Sequence, residues 1–137
     1  TRVLQFEGDD IHYKNSYGIQ CLPEGEKLLD YFTPMIEEDY GLVSKENSYS
    51  RIYFNGSALL KHVDRVGLDV TLSLCIYSDI ENPWPLHVDD GQAIHQINTP
   101  PGTAGVILGT KYHHWRDDLI CKPDQKVMQV FCHWRLV

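Results

Sequence analysis

No apolar run in this chain of 137 residues approaches the roughly 20 residues that a membrane-spanning helix needs, and no signal peptide is visible. Basic residues are scarce: 12 Lys and Arg stand against 19 Asp and Glu, for a net charge of −7 and a pI near 5.4. That balance argues against a sequence-independent nucleic-acid surface and against an anionic-membrane surface. Cysteine is sparse too, and Cys21, Cys75, Cys121 and Cys132 are far apart. Without a Cys-x-x-Cys pair, a structural zinc site built on such knuckles is not expected. Cys75 and Cys132 lie in apolar strand-like runs and read as small buried hydrophobes, which points to free thiols, a reducing compartment and an intracellular, cytoplasmic location. Repeats and low-complexity tracts are missing. The chain starts at Thr1 rather than Met, which leaves a removed targeting segment or a longer parent chain open.

What is present is an ordinary globular composition, 42% hydrophobic and 23% charged, of a length that makes one domain with its own core. Residues 1–20 mix a strand-like stretch at 3–6 with polar turns at 8–10 and 15–16. Over 24–40, Leu28, Leu29, Phe32, Met35 and Ile36 recur at helical spacing. Pro34 either kinks that helix or, with Thr33 as N-cap, starts a second one. Residues 41–47 read as a loop. From residue 48 onward the pattern is of strands, at 49–55, 59–64, 69–78, 85–88, 93–97, 105–109 and 126–135. Asn55-Gly56, Asp90-Gly91 and Pro100-Pro101-Gly102 supply turns between them. A helical part at 1–47 and a β part at 48–137 predict a mainly β (α+β) sandwich or barrel with the helix packed outside.

The chemistry gathers at His62-Val63-Asp64 and at His113-His114-Trp115-Arg116. On a strand, alternate side chains share a face, so His62 and Asp64 point the same way. With one distant His they make a facial set of two imidazoles and one carboxylate, which leaves open the positions that Fe(II) needs for a bidentate 2-oxo acid and O2. His-x-Asp alone is a weak motif, and His87-Val88-Asp89 is a second copy in this chain.

Arg51-x-Tyr53, Asn55-Gly56, His62-Val63-Asp64-Arg65, Thr71-Leu72-Ser73-Leu74, Trp84-Pro85-Leu86, Gly105, Gly109, His114-Trp115-Arg116 and Gln129-Val130-Phe131-Cys132-His133-Trp134 follow one another in that order. Together they resemble the Fe(II)- and 2-oxoglutarate-dependent oxygenases of the prolyl-hydroxylase-like branch, over roughly residues 48–135. The resemblance implies a double-stranded β-helix (jelly-roll) core that hydroxylates a C–H bond, of a prolyl residue or a small amino-acid-like substrate, and turns 2-oxoglutarate into succinate and CO2. Its implied cofactors are Fe(II) and 2-oxoglutarate, with ascorbate as reductant, and its partners are O2 and a peptide or small molecule, with no nucleic acid and no membrane. Asp64 favours hydroxylation over halogenation, because related halogenases have no carboxylate there.

Carried over residue by residue, the metal ligands fall on His62, Asp64 and His114. His113 competes for the last place, since adjacent strand residues face opposite ways. Tyr53 matches a tyrosine that hydrogen-bonds the co-substrate, or is a plain core residue. The cation for the distal carboxylate falls on Lys126, at the start of the last strand, with Arg116 as the rival able to grip a carboxylate bidentately and with Gln125 and Lys122 nearby. Trp84, His87 and Tyr112 would line the mouth for the substrate, and His12, His95 and His133 read as structural histidines. Two other readings stay open: a zinc or manganese cupin-type protein without the co-substrate, and a non-catalytic binding module.

Overall fold

The computed structural model describes residues 12–137, so the strand-like 3–6 and the turn at 8–10 lie outside the described residues. The first strand, β1, runs Tyr13–Gln20 and is followed by the helix α1, Pro23–Tyr40. Pro23 opens α1 where its missing N–H costs nothing, and Glu24 and Glu26 in the first turn suit the helix dipole. Pro34 neither ends α1 nor begins another helix. Thr33 is therefore not an N-cap: its hydroxyl donates to the Leu29 carbonyl at 2.7 Å and accepts the Trp134 indole N–H at 2.9 Å. Packing holds the helix through the proline, because Leu29 and Ile36 are buried in one cluster with Val70, Leu72, Val130, Cys132 and Trp134. Each such aliphatic side chain contributes about 1.5–3 kcal/mol.

The long strand β2 spans Val43–His62. It corrects two expectations, the loop at 41–47 and the turn at Asn55-Gly56. The segment before Asn47 is polar and carries no alternation, yet Val43 pairs with Leu136 and Ser44 with Arg135 on β8, Val127–Leu136. A ladder of backbone hydrogen bonds needs no apolar side chains. At Asn55-Gly56 the strand bends without reversing. Gly56 has φ 87°, and Asn15 on β1, itself at φ 54°, donates its side-chain amide to the Asn55 carbonyl at 3.0 Å. Asn15 and Ser16 are accordingly a bulge inside β1, not a turn.

The bend divides the sheet into two layers. Before it β2 pairs with β8, and after it with β7, His113–Arg116. The remaining strands are β3 (Val70–Ser78), β4 (Leu86–Asp89), β5 (Ile94–Ile97) and β6 (Ala104–Ile107). The order is β5-β4-β7-β2-β8-β3-β6, with β1 on β2. One layer, β6-β3-β8 and the first half of β2, carries α1 on its outer face. The other is β5-β4-β7 and the end of β2. Ile107 from the first packs with Leu59, Leu86 and Val88 from the second, so the two layers face each other. In β3 and β8, Val70, Leu72, Val130, Cys132 and Trp134 lie under α1, while Thr71, Ser73, Gln129 and His133 turn into the space between the layers.

Candidate metal centre

One end of that space is ringed by the end of β2 and the starts of β7 and β3. His62 and His114 are direct partners in the β2–β7 register, and Asp64 follows where the chain leaves β2. The Nε2 atoms of His62 and His114 each lie 3.2 Å from Asp64 Oδ1. Histidine and carboxylate ligand atoms of these residues all fall within 4.8 Å of one another, and no other such group occurs among the described residues. Both rings are held the same way. His62 Nδ1 lies 2.6 Å from the Leu60 carbonyl and His114 Nδ1 lies 2.9 Å from the Tyr112 carbonyl. Since a carbonyl only accepts, both Nδ1 atoms carry the proton and both Nε2 lone pairs point at the centre, the arrangement a metal requires.

Asp64 is fixed as tightly. Thr71 Oγ1 donates to its Oδ2 at 3.1 Å, and its backbone N–H donates to the Gly109 carbonyl at 2.9 Å. Gly109 is glycine for a steric reason, because a Cβ there would overlap Asp64 Oδ2. Burial pulls the carboxyl pKa up, but in the metal-free protein a proton on Nε2 of either ring can also bridge to the carboxylate, and the two histidines, His114 first, outweigh burial and keep Asp64 ionised well below the ordinary carboxylate range. The set is two neutral-capable imidazoles and one carboxylate on one side of a point, suited to an octahedral divalent ion with open positions. Neither Thr71 nor Gly109 is assigned a part by the sequence, although the polar odd-numbered positions 71 and 73 are a readable signal.

Arg116 follows His114 by two residues and so shares its inward face. It is 3% exposed, donates Nη1 to the Trp84 carbonyl at 2.7 Å and leaves its buried Nε without a partner. Among the described residues it forms no ion pair. Burial pushes its pKa down, against the pull of Tyr53, Tyr13 and Cys75 around it. A buried guanidinium without an anion is costly, and the vacancy in its pairing suits a carboxylate brought by a ligand.

The other anticipated residues lie as follows. Tyr53 is fully buried, with its ring 4.9 Å from that of Trp84. Lys126 sits at the start of β8 with its ammonium 5.6 Å from the Tyr77 ring and its backbone N–H on Asp79, at the opposite end of the barrel from the histidines. His113 is exposed. Trp84, His87 and Tyr112 do not meet at a mouth. Trp84 braces Arg116, and its indole donates to the Asp117 carbonyl at 2.7 Å. His87 pairs in register with Trp115, not His114, so it stacks on Trp115 on the outer face and contacts Asp117 at 3.1 Å. The Tyr112 ring packs against the cluster of Leu59 and Leu86, and only its carbonyl serves the site. His12 stacks on the His62 ring at 4.2 Å, and His95 bonds Asp90 at 2.7 Å on the surface.

No protein-family model matches this chain, and no curated protein matches it significantly. Solved structures do share its fold. An oxidoreductase of the 2OG-Fe(II) oxygenase family from Burkholderia pseudomallei superposes with a TM-score of 0.75 at 11% identity, over 98% of this chain and 73% of that one. A prolyl-4-hydroxylase from Pseudomonas putida gives 0.70 at 13% identity, over 96% and 78%. A predicted oxalate decarboxylase from Thermotoga maritima gives 0.56 at 7% identity, over 98% and 92%. At such identities the likeness is one of fold: the chain has the double-stranded β-helix core that these oxygenases and cupin-like proteins share.

Proposed function

We propose that this protein is an Fe(II)- and 2-oxoglutarate-dependent oxygenase that hydroxylates a C–H bond of a peptidyl or small amino-acid-like substrate. The observation that carries the reading is the convergence of His62 Nε2, His114 Nε2 and the Asp64 carboxylate on one point, with the anion-free guanidinium of Arg116 inward from it. Iron and the 2-oxo acid, when bound, supply oxidation of the C–H bond coupled to decarboxylation to succinate. The chain's own residues do the rest. The Leu60 and Tyr112 carbonyls set the imidazole tautomers, and Thr71 and Gly109 orient Asp64. Arg116 takes the distal carboxylate of the co-substrate in preference to Lys126, whose ammonium is engaged with Tyr77 outside the interior. Tyr53, packed beside Arg116, borders the same place.

A cupin-type metal protein acting without a 2-oxo acid is the second reading, favoured by the likeness to the oxalate decarboxylase fold. It needs the three ligands but not Arg116. The deciding experiment supplies Fe(II), ascorbate and 2-oxoglutarate in air and follows succinate. Slow succinate formation without a prime substrate, competitive inhibition by N-oxalylglycine and loss of signal in Asp64→Ala are expected. Iron-loaded protein that neither binds 2-oxoglutarate by calorimetry nor makes succinate would exclude the oxygenase reading.

A further inference from the structure

We propose that His133 contacts the substrate in this site and selects one that carries an N–H or O–H donor beside the carbon to be oxidised. The inference rests on the oxygenase reading and names the chemistry of its substrate. In the β3–β8 register His133 lies directly across from Thr71, the residue that holds Asp64, so its ring enters the barrel beside the metal ligands. Its Nδ1 lies 2.9 Å from the side-chain oxygen of Asn47. An amide oxygen accepts only, so Nδ1 carries the proton and Nε2 keeps its lone pair. Nε2 has no hydrogen-bond partner among the described residues, yet it is not a sealed, unsatisfied atom. His133 lines a cavity of about 460 Å³ together with His62 and Asp64, with Tyr13, Tyr49, Arg65 and Asn47 also among its walls.

A histidine kept only for the core would have both nitrogens spoken for. This one spends one nitrogen on orientation and presents the other to whatever enters. Burial in the barrel pushes its pKa down to about 4, against the opposing pull of Asp64, which agrees with a neutral ring. A lone pair next to a carboxylate attracts hydroxyl, amide or ammonium hydrogens and offers nothing to the acceptor oxygens of esters and ketones. A donor bonded there sits next to the metal ligands, so the carbon bearing it, or its neighbour, is the one presented for oxidation.

The test uses the zinc-loaded full chain with N-oxalylglycine, which cannot turn over. Two matched probe pairs, cyclopentanol with cyclopentanone and N-acetylprolinamide with N-acetylproline methyl ester, are titrated by NMR. The donor-bearing member of each pair is expected to bind about tenfold more tightly, the worth of one net hydrogen bond. His133→Leu should erase that preference, and His133→Gln, whose side-chain oxygen reaches the place of Nε2, should restore part of it. Zinc and N-oxalylglycine affinities should stay unchanged in both variants, which a merely structural role would not arrange. Equal binding of the paired probes by the unmodified protein, a preference that survives His133→Leu, or loss of zinc from folded His133→Gln would each overturn the proposal. Failure of N-oxalylglycine to bind the unmodified zinc protein would instead remove the oxygenase reading beneath it.

Discussion

Gly109 has no functional group, yet it decides whether Asp64 can lie where the two imidazoles meet it. Gly109→Ala is expected to weaken metal binding roughly 10- to 100-fold while the protein stays folded, the usual penalty for disturbing groups that orient ligands, as read by metal titration beside circular dichroism. Among the proposed ligands, His62→Ala, Asp64→Ala and His114→Ala should each abolish iron binding, whereas His113→Ala and His87→Ala should retain it. Iron lost from His113→Ala but kept by His114→Ala would contradict the register of β7. Arg116→Met should abolish 2-oxoglutarate binding and at the same time raise the melting temperature of the metal-free protein, because it removes a buried cation that lacks an anion. His133 makes stability depend on pH. The unfolded chain takes up its proton near pH 6.5, the folded chain only near pH 4, so between these values the unfolded state binds more protons. Stability is fully present above pH 6.5 and falls by about 3 kcal/mol on descent through that window. Denaturation midpoints of the metal-free protein against pH should trace this fall and lose most of it in His133→Gln.

Elements here are shaped by what they pack on more than by their own propensities. The helix α1 tolerates Pro34 because its buried side chains and the Trp134–Thr33 hydrogen bond hold both halves to the sheet. Pro34 is itself exposed. Pro34→Ala removes no contact and restores the N–H that can reach the Asp30 carbonyl. It should stabilise the protein by about 2 kcal/mol, the helix-interior cost of proline less the entropy its ring removes from the unfolded chain, and chemical denaturation can measure it. The helical spacing of 24–40 was legible, and so were most strands, because apolar residues alternate there. The polar start of β2 was not, since its place in the sheet comes from the partner strand. Asn55-Gly56 was misread as a reversal because the same dipeptide also serves a bend in a continuing strand. Only pairing with β8 on one side of it and β7 on the other distinguishes the two.

At the scale of the whole molecule, the bend in β2 sets the two layers face to face and brings β7 beside the end of the strand that carries His62. Ligand binding should therefore register as global stability. On the proposed function, 2-oxoglutarate at about 100 times its Kd should add about 2.7 kcal/mol to the metal-loaded protein and nothing to Arg116→Met, as melting curves would record. What the sequence by itself determined was whatever depends on neighbours in the chain: the helix, most strands, the shared face of His62 and Asp64, and the opposite faces of His113 and His114. The double-stranded β-helix was legible in it as well, but through the order of many small motifs and not through any one of them. What the tertiary structure alone decided was whatever depends on residues far apart in the chain. His87 and Asp89 repeat the spacing of His62 and Asp64, but they face away from His114, because β4 meets β7 in the register that pairs Val88, not His87, with it. Lys126 and Arg116 carry the same charge, and only the folding of strands into a barrel leaves one at the rim and buries the other with no anion. Charge and spacing are local properties, whereas burial and register come from the partner strand, which no stretch of sequence contains.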